Sequence, residues 1–236
     1  MKSLFILVLI LLGGKQVVHA HALWIESKSI ASKNQVETIK VFYGEFSTQE
    51  IDPLAKWYAD VKALSLWVTQ PDQQRVQISL SAASDHLRGN YKFDQEGQYL
   101  IHAVHAAKDL GGKTKYVFTA TQVVTVTGGY PLGDLVAKAM PLAVYPLTVD
   151  REIHKPVEVL LTEGGLIKAN TTVVVSSETG WSKSYTSDGE GKISFQPLWK
   201  GKYVIEATQY DEEVGTWHEQ AYSAVWHGAT TFVEVP

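Results

Sequence analysis

From residue 21 onward, the sequence is a succession of short runs in which apolar and polar residues alternate, with turn-forming residues between them. In the first half, such runs cover residues 36–43, 64–68, 76–80 and 97–105. Alternation with a period of two is typical of a strand that buries one face, whereas an amphipathic helix repeats its apolar residues every three or four positions. Short strands separated by turns predict an all-β protein and argue against a parallel α/β sheet.

The second half repeats the strand pattern more clearly, at residues 157–161, 172–175, 184–195 and 201–207. Gly97-x-Tyr99 in the first half matches Gly201-x-Tyr203 in the second half in residue type and spacing. We interpret each as the late strand of a small sandwich whose tyrosine packs at a corner. The pattern therefore predicts two tandem β-sandwiches, and the motif described below adds a resemblance to immunoglobulin- or transthyretin-like modules.

The predicted boundaries follow from the turn residues. A signal peptide covers residues 1–20, the first sandwich residues 21–128, and the second sandwich residues 151–236. Residues 129–150, which begin with Gly-Tyr-Pro, are predicted to be a linker with the strand that leads into the second sandwich.

Three connecting segments carry distinct signals. Residues 70–73 are turn material between two strand runs, and Asp188-Gly189 is a strong hairpin signal. Residues 46–62 are predicted to be a long loop, or a loop with a helical turn that begins at Pro53, since proline is favoured at the first helical position. Long irregular segments often carry function.

Residues 1–20 have the features of a secretory signal, with Lys2 followed by an apolar stretch at residues 4–12. Small residues allow a cut after Ala20 or after Ala22. An uncleaved anchor is disfavoured because nine apolar residues are about half of the ~20 that span a bilayer. We expect a soluble periplasmic protein.

Composition excludes several classes of function. Removal of residues 1–20 leaves 19 basic and 25 acidic side chains, a net charge of −6, and no basic block that would bind nucleic acid. The chain has no cysteine, so it has no disulfide, and any metal must be held by nitrogen or oxygen.

The second half contains a motif that resembles carboxypeptidase-regulatory or transthyretin-like sandwich modules. Its residues are Thr186-x-Asp188-Gly189-x-Gly191 with Phe195 following. The resemblance implies the sandwich fold of those modules and is uninformative about function.

Taken whole, the mature chain resembles a family of exported proteins of unknown function that are often labelled nickel-uptake or cobalt/nickel-transporter-associated periplasmic proteins. The resemblance rests on residues 20–26, Ala-His-Ala-Leu-Trp-Ile-Glu, and on residues 141–147, Pro-Leu-Ala-Val-Tyr-Pro-Leu. It implies a bound nickel, cobalt or copper ion without an organic cofactor, and an outer-membrane receptor or transporter as partner. Family members often have Gly-His at the end of the second strand, where this chain has Gly44-Glu45. The site implied by the family therefore has a carboxylate in place of that histidine, or is altered.

Histidines are the candidate metal ligands, since imidazole suits nickel, copper and zinc. After a cut at Ala20, His21 would be the first residue, and its free α-amine and imidazole could bind one ion together. A cut after Ala22 removes the pair, and His21 would otherwise be an ordinary strand residue. The pair His102-x-x-His105 lies in a predicted strand, where this spacing puts the two rings on opposite faces. Only one of them can therefore join His21, and the pattern does not decide which.

His218, His227 and His86 are further candidate ligands. His218 and His227 each follow a tryptophan, and a hairpin could bring them close; His86 is a turn residue beside an aspartate.

The alternative function is a metal-free periplasmic module that binds a partner or a glycan through exposed aromatic residues, including Trp57, Trp217 and Trp226. The common motifs of hydrolases, zinc proteases and nucleotide-binding enzymes are absent from the sequence, so we predict a protein that is not an enzyme. A copper-dependent oxidative enzyme is the less favoured alternative.

Overall fold

The computed structural model describes residues 21–127 and 140–236. Residues 1–20, which are the predicted signal, and residues 128–139, which include the first half of the predicted linker, lie outside the described residues. All regular structure in the described parts consists of strands and three-residue 3-10 turns, which confirms the all-β prediction. No helix within these two stretches has the length and apolar character needed to cross a membrane.

Each stretch contributes ten strands to the described structure. The first contains β1 (Ala22–Glu26), β2 (Ile30–Ala31), β3 (Val36–Glu45), β4 (Glu50–Ile51), β5 (Leu66–Thr69), β6 (Arg75–Ile78), β7 (Ser81–Ala82), β8 (His86–Lys92), β9 (Gly97–Ala106) and β10 (Thr114–Val126). The second contains β11 (Leu142–Pro146), β12 (Val157–Glu163), β13 (Leu166–Ile167), β14 (Thr172–Ser177), β15 (Ser182–Thr186), β16 (Lys192–Phe195), β17 (Gly201–Asp211), β18 (Gly215–Trp217), β19 (Gln220–Tyr222) and β20 (Ala224–Val235).

A nine-stranded sheet, here named the central sheet, contains strands from both halves of the chain. Its order is β15-β14-β17-β20-β10-β9-β5-β6, with β2 beside β10. The halves meet where β10 and β20 pair in parallel, with Thr121 opposite Thr231. The two predicted sandwich regions are therefore joined by a continuous ladder of main-chain hydrogen bonds.

Two smaller sheets cover opposite faces of the central sheet. The N-terminal sheet has the order β1-β3-β8-β7 with β4 beside β3, and the C-terminal sheet has the order β11-β12-β13 with β16 beside β12. Two hydrophobic cores lie between these sheets and the central sheet. The first core lies under the N-terminal sheet and contains Phe118, and the second core lies under the C-terminal sheet and contains Ala229. Phe118 is paired with Gly228, the residue before Ala229, so the two cores lie on opposite faces.

Strand β1 is an edge strand of the N-terminal sheet, and β11 is an edge strand of the C-terminal sheet. Both pack against the central sheet, and both faces of each strand are buried. In β1, Leu23 belongs to the first core, while Trp24 packs against Phe232 of β20. In β11, Val144 belongs to the second core, while Tyr145 packs near Val123 of β10. This double burial explains why both strands have nearly continuous apolar sequences instead of strict alternation.

The two turn predictions have different outcomes. Residues 70–74, which include the predicted turn residues 70–73, connect β5 and β6, and these two strands pair as a hairpin. The prediction of a hairpin at Asp188-Gly189 is wrong, because β15 pairs with β14 while β16 pairs with β12. The tight turn itself forms, since the Asp188 carboxylate accepts hydrogen bonds from the amides of Glu190 and Lys192. The chain there crosses from the central sheet to the C-terminal sheet.

The two corner tyrosines form matching structures. Tyr99 donates its hydroxyl to the carbonyl oxygen of Gln95 at 3.0 Å and accepts the amide of the same residue at 2.8 Å. Tyr203 does the same with the carbonyl and amide of Trp199, at 2.8 and 3.1 Å. The corner role predicted for both tyrosines is confirmed, and each ring is buried in the core of its own half.

Candidate functional site

His21 lies immediately before β1, at one end of the first core. Its ring stacks on Tyr43 with the centroids 5.4 Å apart, and its Nε2 atom is 3.4 Å from an Asp52 carboxylate oxygen. The His21 side chain is 38 % exposed and the Asp52 side chain 19 % exposed. The imidazole is thus held on two sides while part of it stays open to solvent.

Asp52 comes from the irregular segment between β3 and β5, and main-chain contacts fix it in place. Its amide donates to the Tyr43 carbonyl at 3.0 Å, and its carbonyl accepts the Trp57 indole N–H at 3.1 Å. The predicted helical turn forms, but it begins one residue later than expected, because Pro53 has an extended backbone and precedes the 3-10 turn Leu54–Lys56. This segment therefore positions a carboxylate over the start of β1.

Aromatic rings form the wall behind His21. The Tyr43 ring lies 5.7 Å from the Trp57 ring and 5.7 Å from the Phe118 ring. Burial, and secondarily the Asp52 carboxylate, raise the pKa of Tyr43 well above its ordinary value. The phenol is therefore neutral at physiological pH and packs as a polar-tipped core residue.

The two histidines predicted as partners of His21 lie on different faces of β9. His102 alternates with the first-core residues Ile101 and Ala103, so it lies on the opposite face of the central sheet from the first core. Its Nε2 atom is 3.0 Å from an Arg75 guanidinium nitrogen, and the residue is 3 % exposed. The structure therefore does not bring His102 to His21, whose ring contacts a first-core residue.

His105 shares the first-core face of β9 with Ala103. Its Nε2 atom is 3.0 Å from the Asp60 carboxylate. Burial opposes ionisation of Asp60, but the hydrogen bonds from His105 and from the Lys108 amide lower its pKa overall. His105 thus has a carboxylate partner of its own, in the same irregular segment that supplies Asp52.

The other candidate histidines are dispersed. His86 pairs with Asp85 at 2.8 Å and packs against Phe42. His218 is exposed and contacts the ring of Trp217. His227 lies 3.9 Å from Asp211, and burial lowers its pKa, with the Asp211 carboxylate acting in the opposite direction.

The tryptophans predicted to bind a partner are engaged in packing. Trp57 is only 4 % exposed, which excludes it from a surface platform. Trp226 packs against the first core beside Tyr116 and Phe118. Trp217 donates its indole N–H to the Ala107 carbonyl at 2.8 Å, and the Lys115 ammonium lies over its ring.

Side chains alone do not build a metal centre in the part of the chain that the structure describes. No three histidine, aspartate or glutamate side chains there converge so that they could hold a metal ion. The predicted cut after Ala20 would add the α-amine of His21 as a further donor. Sequence reasoning missed Asp52 and Tyr43 as its neighbours; the only local signal was the placement of Asp52 before Pro53 in a long irregular segment.

A half-buried carboxylate, that of Glu206, lies on β17 near the end of β3. Burial raises the pKa of Glu206 to about 8, and the nearby Glu45 carboxylate adds to the shift. Glu45 in turn accepts a hydrogen bond from the Ser47 hydroxyl at 2.6 Å. Glu206 is therefore mainly protonated at neutral pH, at a contact between the two halves.

No family model matches the chain, and no curated protein matches it.

Proposed function

We propose that the mature protein begins at His21 and binds a transition metal, nickel, cobalt or copper, in the periplasm through the α-amine and imidazole of that residue. It would serve as a metal-binding or metal-uptake accessory protein for a receptor or transporter. Its scaffold would be two immunoglobulin- or transthyretin-like sandwiches that share the central sheet.

The contact between Asp52 and His21 carries this proposal. The Asp52 carboxylate lies 3.4 Å from Nε2, and a negative charge on that side favours the tautomer with the proton on Nε2 and the lone pair on Nδ1. Nδ1 is the ring nitrogen nearer the main chain, so it can chelate an ion together with the α-amine. Tyr43 stacking restricts the ring further. His105 is better placed than His102 to supply another ligand, because it is on the first-core face.

The donor atoms also predict the order of intrinsic affinity among the three metals. Two nitrogen donors and no thiolate favour copper over nickel and nickel over cobalt in intrinsic affinity. The metal bound in the cell would then depend on supply in the periplasm as well as on this order.

The test combines N-terminal sequencing of the exported protein with calorimetric titration of Cu²⁺ and Ni²⁺. We expect His21 as the first residue and one tight site. His21→Ala keeps the amine but removes the imidazole, so the tight site should be lost. Asp52→Asn should weaken binding by about 10–100-fold, as expected for a carboxylate that orients a ligand.

His218→Ala is the matched control, since it removes an exposed histidine without an ion-pair partner among the described residues, and it should leave the titration unchanged. An N-terminus at Leu23 would remove the ligand and reject the proposal. Equal metal affinity of His21→Ala and the wild type would reject it as well.

A further inference from the structure

An open cavity of about 460 Å³ lies where segments from both halves meet. It is lined by residues 28–30, which lead into β2, by residues 149–152, which precede β12, and by Glu234 and Pro236 at the end of β20. Its volume falls within the ~300–1,000 Å³ range of small-molecule sites. The cavity belongs to neither the His21 site nor the two cores.

Arg151 is the buried charge in this cavity, with an exposure of 5 %. Its Nε donates to the Thr148 carbonyl at 3.0 Å, and one of its terminal nitrogens donates to the Ser29 hydroxyl. These two bonds use two of the five guanidinium N–H groups. No carboxylate of residues 21–127 or 140–236 lies within ion-pair distance of Arg151, since none of the ion pairs there includes it.

An unpaired buried guanidinium is costly, and the usual compensation is an anion that accepts its N–H groups in pairs. Burial lowers the pKa of Arg151 to about 10, with the Glu234 carboxylate acting in the opposite direction. The guanidinium therefore keeps its charge at neutral pH. Because Thr148 and Ser29 hold the Arg151 side chain in place, the positions of its remaining N–H groups are fixed as well.

The other lining charges restrict which anion fits. Lys28 is paired with Glu37 at 2.9 Å, so its charge is already balanced. Asp150, Glu152 and Glu234 make the remainder of the lining acidic. A doubly charged phosphate would be repelled by three carboxylates, whereas a molecule with one carboxylate and one ammonium group would match both signs. Ile30 and Val149 add an apolar part to the wall.

We propose that this cavity binds a free amino acid with an aliphatic side chain, with its carboxylate on Arg151 and its ammonium group facing Glu234 and the neighbouring acids. The site is separate from the metal site at His21. It gives the protein a small-molecule ligand that contacts both halves of the chain.

The test uses a matched set of ligands in calorimetric titrations of the mature protein. L-leucine should bind, 4-methylpentanoate, which is leucine without its amino group, should bind at least tenfold more weakly, and 3-methylbutylamine, which is leucine without its carboxylate, should not bind. Inorganic phosphate should not compete. Arg151→Lys, which cannot form the paired hydrogen bonds, should weaken leucine binding by about tenfold or more.

Glu234→Gln provides a second variant at an exposed position, so its folding is less at risk than that of Arg151→Lys. It should weaken leucine binding while strengthening binding of 4-methylpentanoate, because one carboxylate both attracts the ammonium group and repels the anion. Absence of leucine binding, unchanged leucine affinity in both variants, or tighter binding of phosphate than of leucine would each overturn the proposal.

Discussion

The hydroxyl of Thr230 donates a hydrogen bond to the main-chain carbonyl of Leu23, across the boundary between the two halves of the chain. Thr121 donates in the same way to the carbonyl of Val144. Thr230 lies on β20 and Leu23 on edge strand β1, while Thr121 lies on β10 and Val144 on edge strand β11. Each half thus donates a hydrogen bond to a carbonyl on the edge strand of the other half, in a reciprocal arrangement.

We expect Thr230→Val to lower the free energy of unfolding by about 1–3 kcal/mol. Valine keeps the shape but leaves the buried Leu23 carbonyl without its donor. Thr121→Val should have a similar effect at Val144. Urea denaturation measures both variants, and Thr208→Val, an exposed position on β17, is the control. Equal stability of Thr230→Val and Thr208→Val would contradict the role of the hydrogen bond.

We expect the two halves to unfold together. Strand β20 pairs with β17 of its own half and with β10 of the other, and its Trp226 packs into the first core. A chain that ends after Ser223 should therefore lose folded structure in both halves, which circular dichroism and tryptophan fluorescence would detect. For a chain of residues 21–236, both signals should give one urea midpoint. Two separate transitions, or stable folding of residues 21–127 alone, would show that the halves are independent.

Stability should depend on the ionisation of Glu206. Its pKa in the folded protein, about 8, is above the ordinary value near 4.3, so between these values the folded state holds a proton that the unfolded state releases. The contribution of Glu206 to stability is thus fully present below about pH 4 and declines as the pH rises to about 8. Glu206→Gln should remove this decline, which amounts to at most about 5 kcal/mol.

Urea titrations at pH 5, 7 and 9 would measure the Glu206 effect. The gap between Glu206→Gln and the wild type should widen with pH in favour of the variant. Glu212→Gln, in the exposed loop after β17, is the matched control and should follow the wild type. A gap that stays constant or narrows from pH 5 to pH 9 would rule out a half-buried, protonated carboxyl at this position.

Tyr203→Phe should destabilise the protein by about 1–2 kcal/mol. The change removes a hydroxyl that both donates to and accepts from the main chain of Trp199. Thermal unfolding would measure the loss, with Tyr99→Phe as the equivalent change in the first half. Tyr210→Phe, at a tyrosine that is 61 % exposed, should change stability little. If all three variants unfolded at the same temperature, the hydrogen bonds of the two corner tyrosines would have no net effect on stability.

The sequence by itself determined the features that depend on neighbouring residues. Alternation of apolar and polar residues predicted the all-β class, because side-chain direction in a strand has a period of two. The repeated Gly-x-Tyr runs predicted the corners at Tyr99 and Tyr203, and the turn residues at 70–73 predicted a turn between the strands now seen as β5 and β6. The same periodicity placed His102 and His105 on opposite faces of one strand.

Only the tertiary structure decided how distant segments meet. The Asp188-Gly189 turn shows the limit, since turn residues specify a local reversal but not which strands pair beyond it. Residues far apart in the sequence meet in the parallel pairing of β10 with β20 and in the contact of Asp52 with His21. The surroundings of Glu206 and Arg151 are likewise formed by distant segments of the chain. Alternation predicts which residues lie on each face of a strand. Which strand pairs with a given strand edge, and which charged group lies beside a buried side chain, depend on the packing free energy summed over the whole chain.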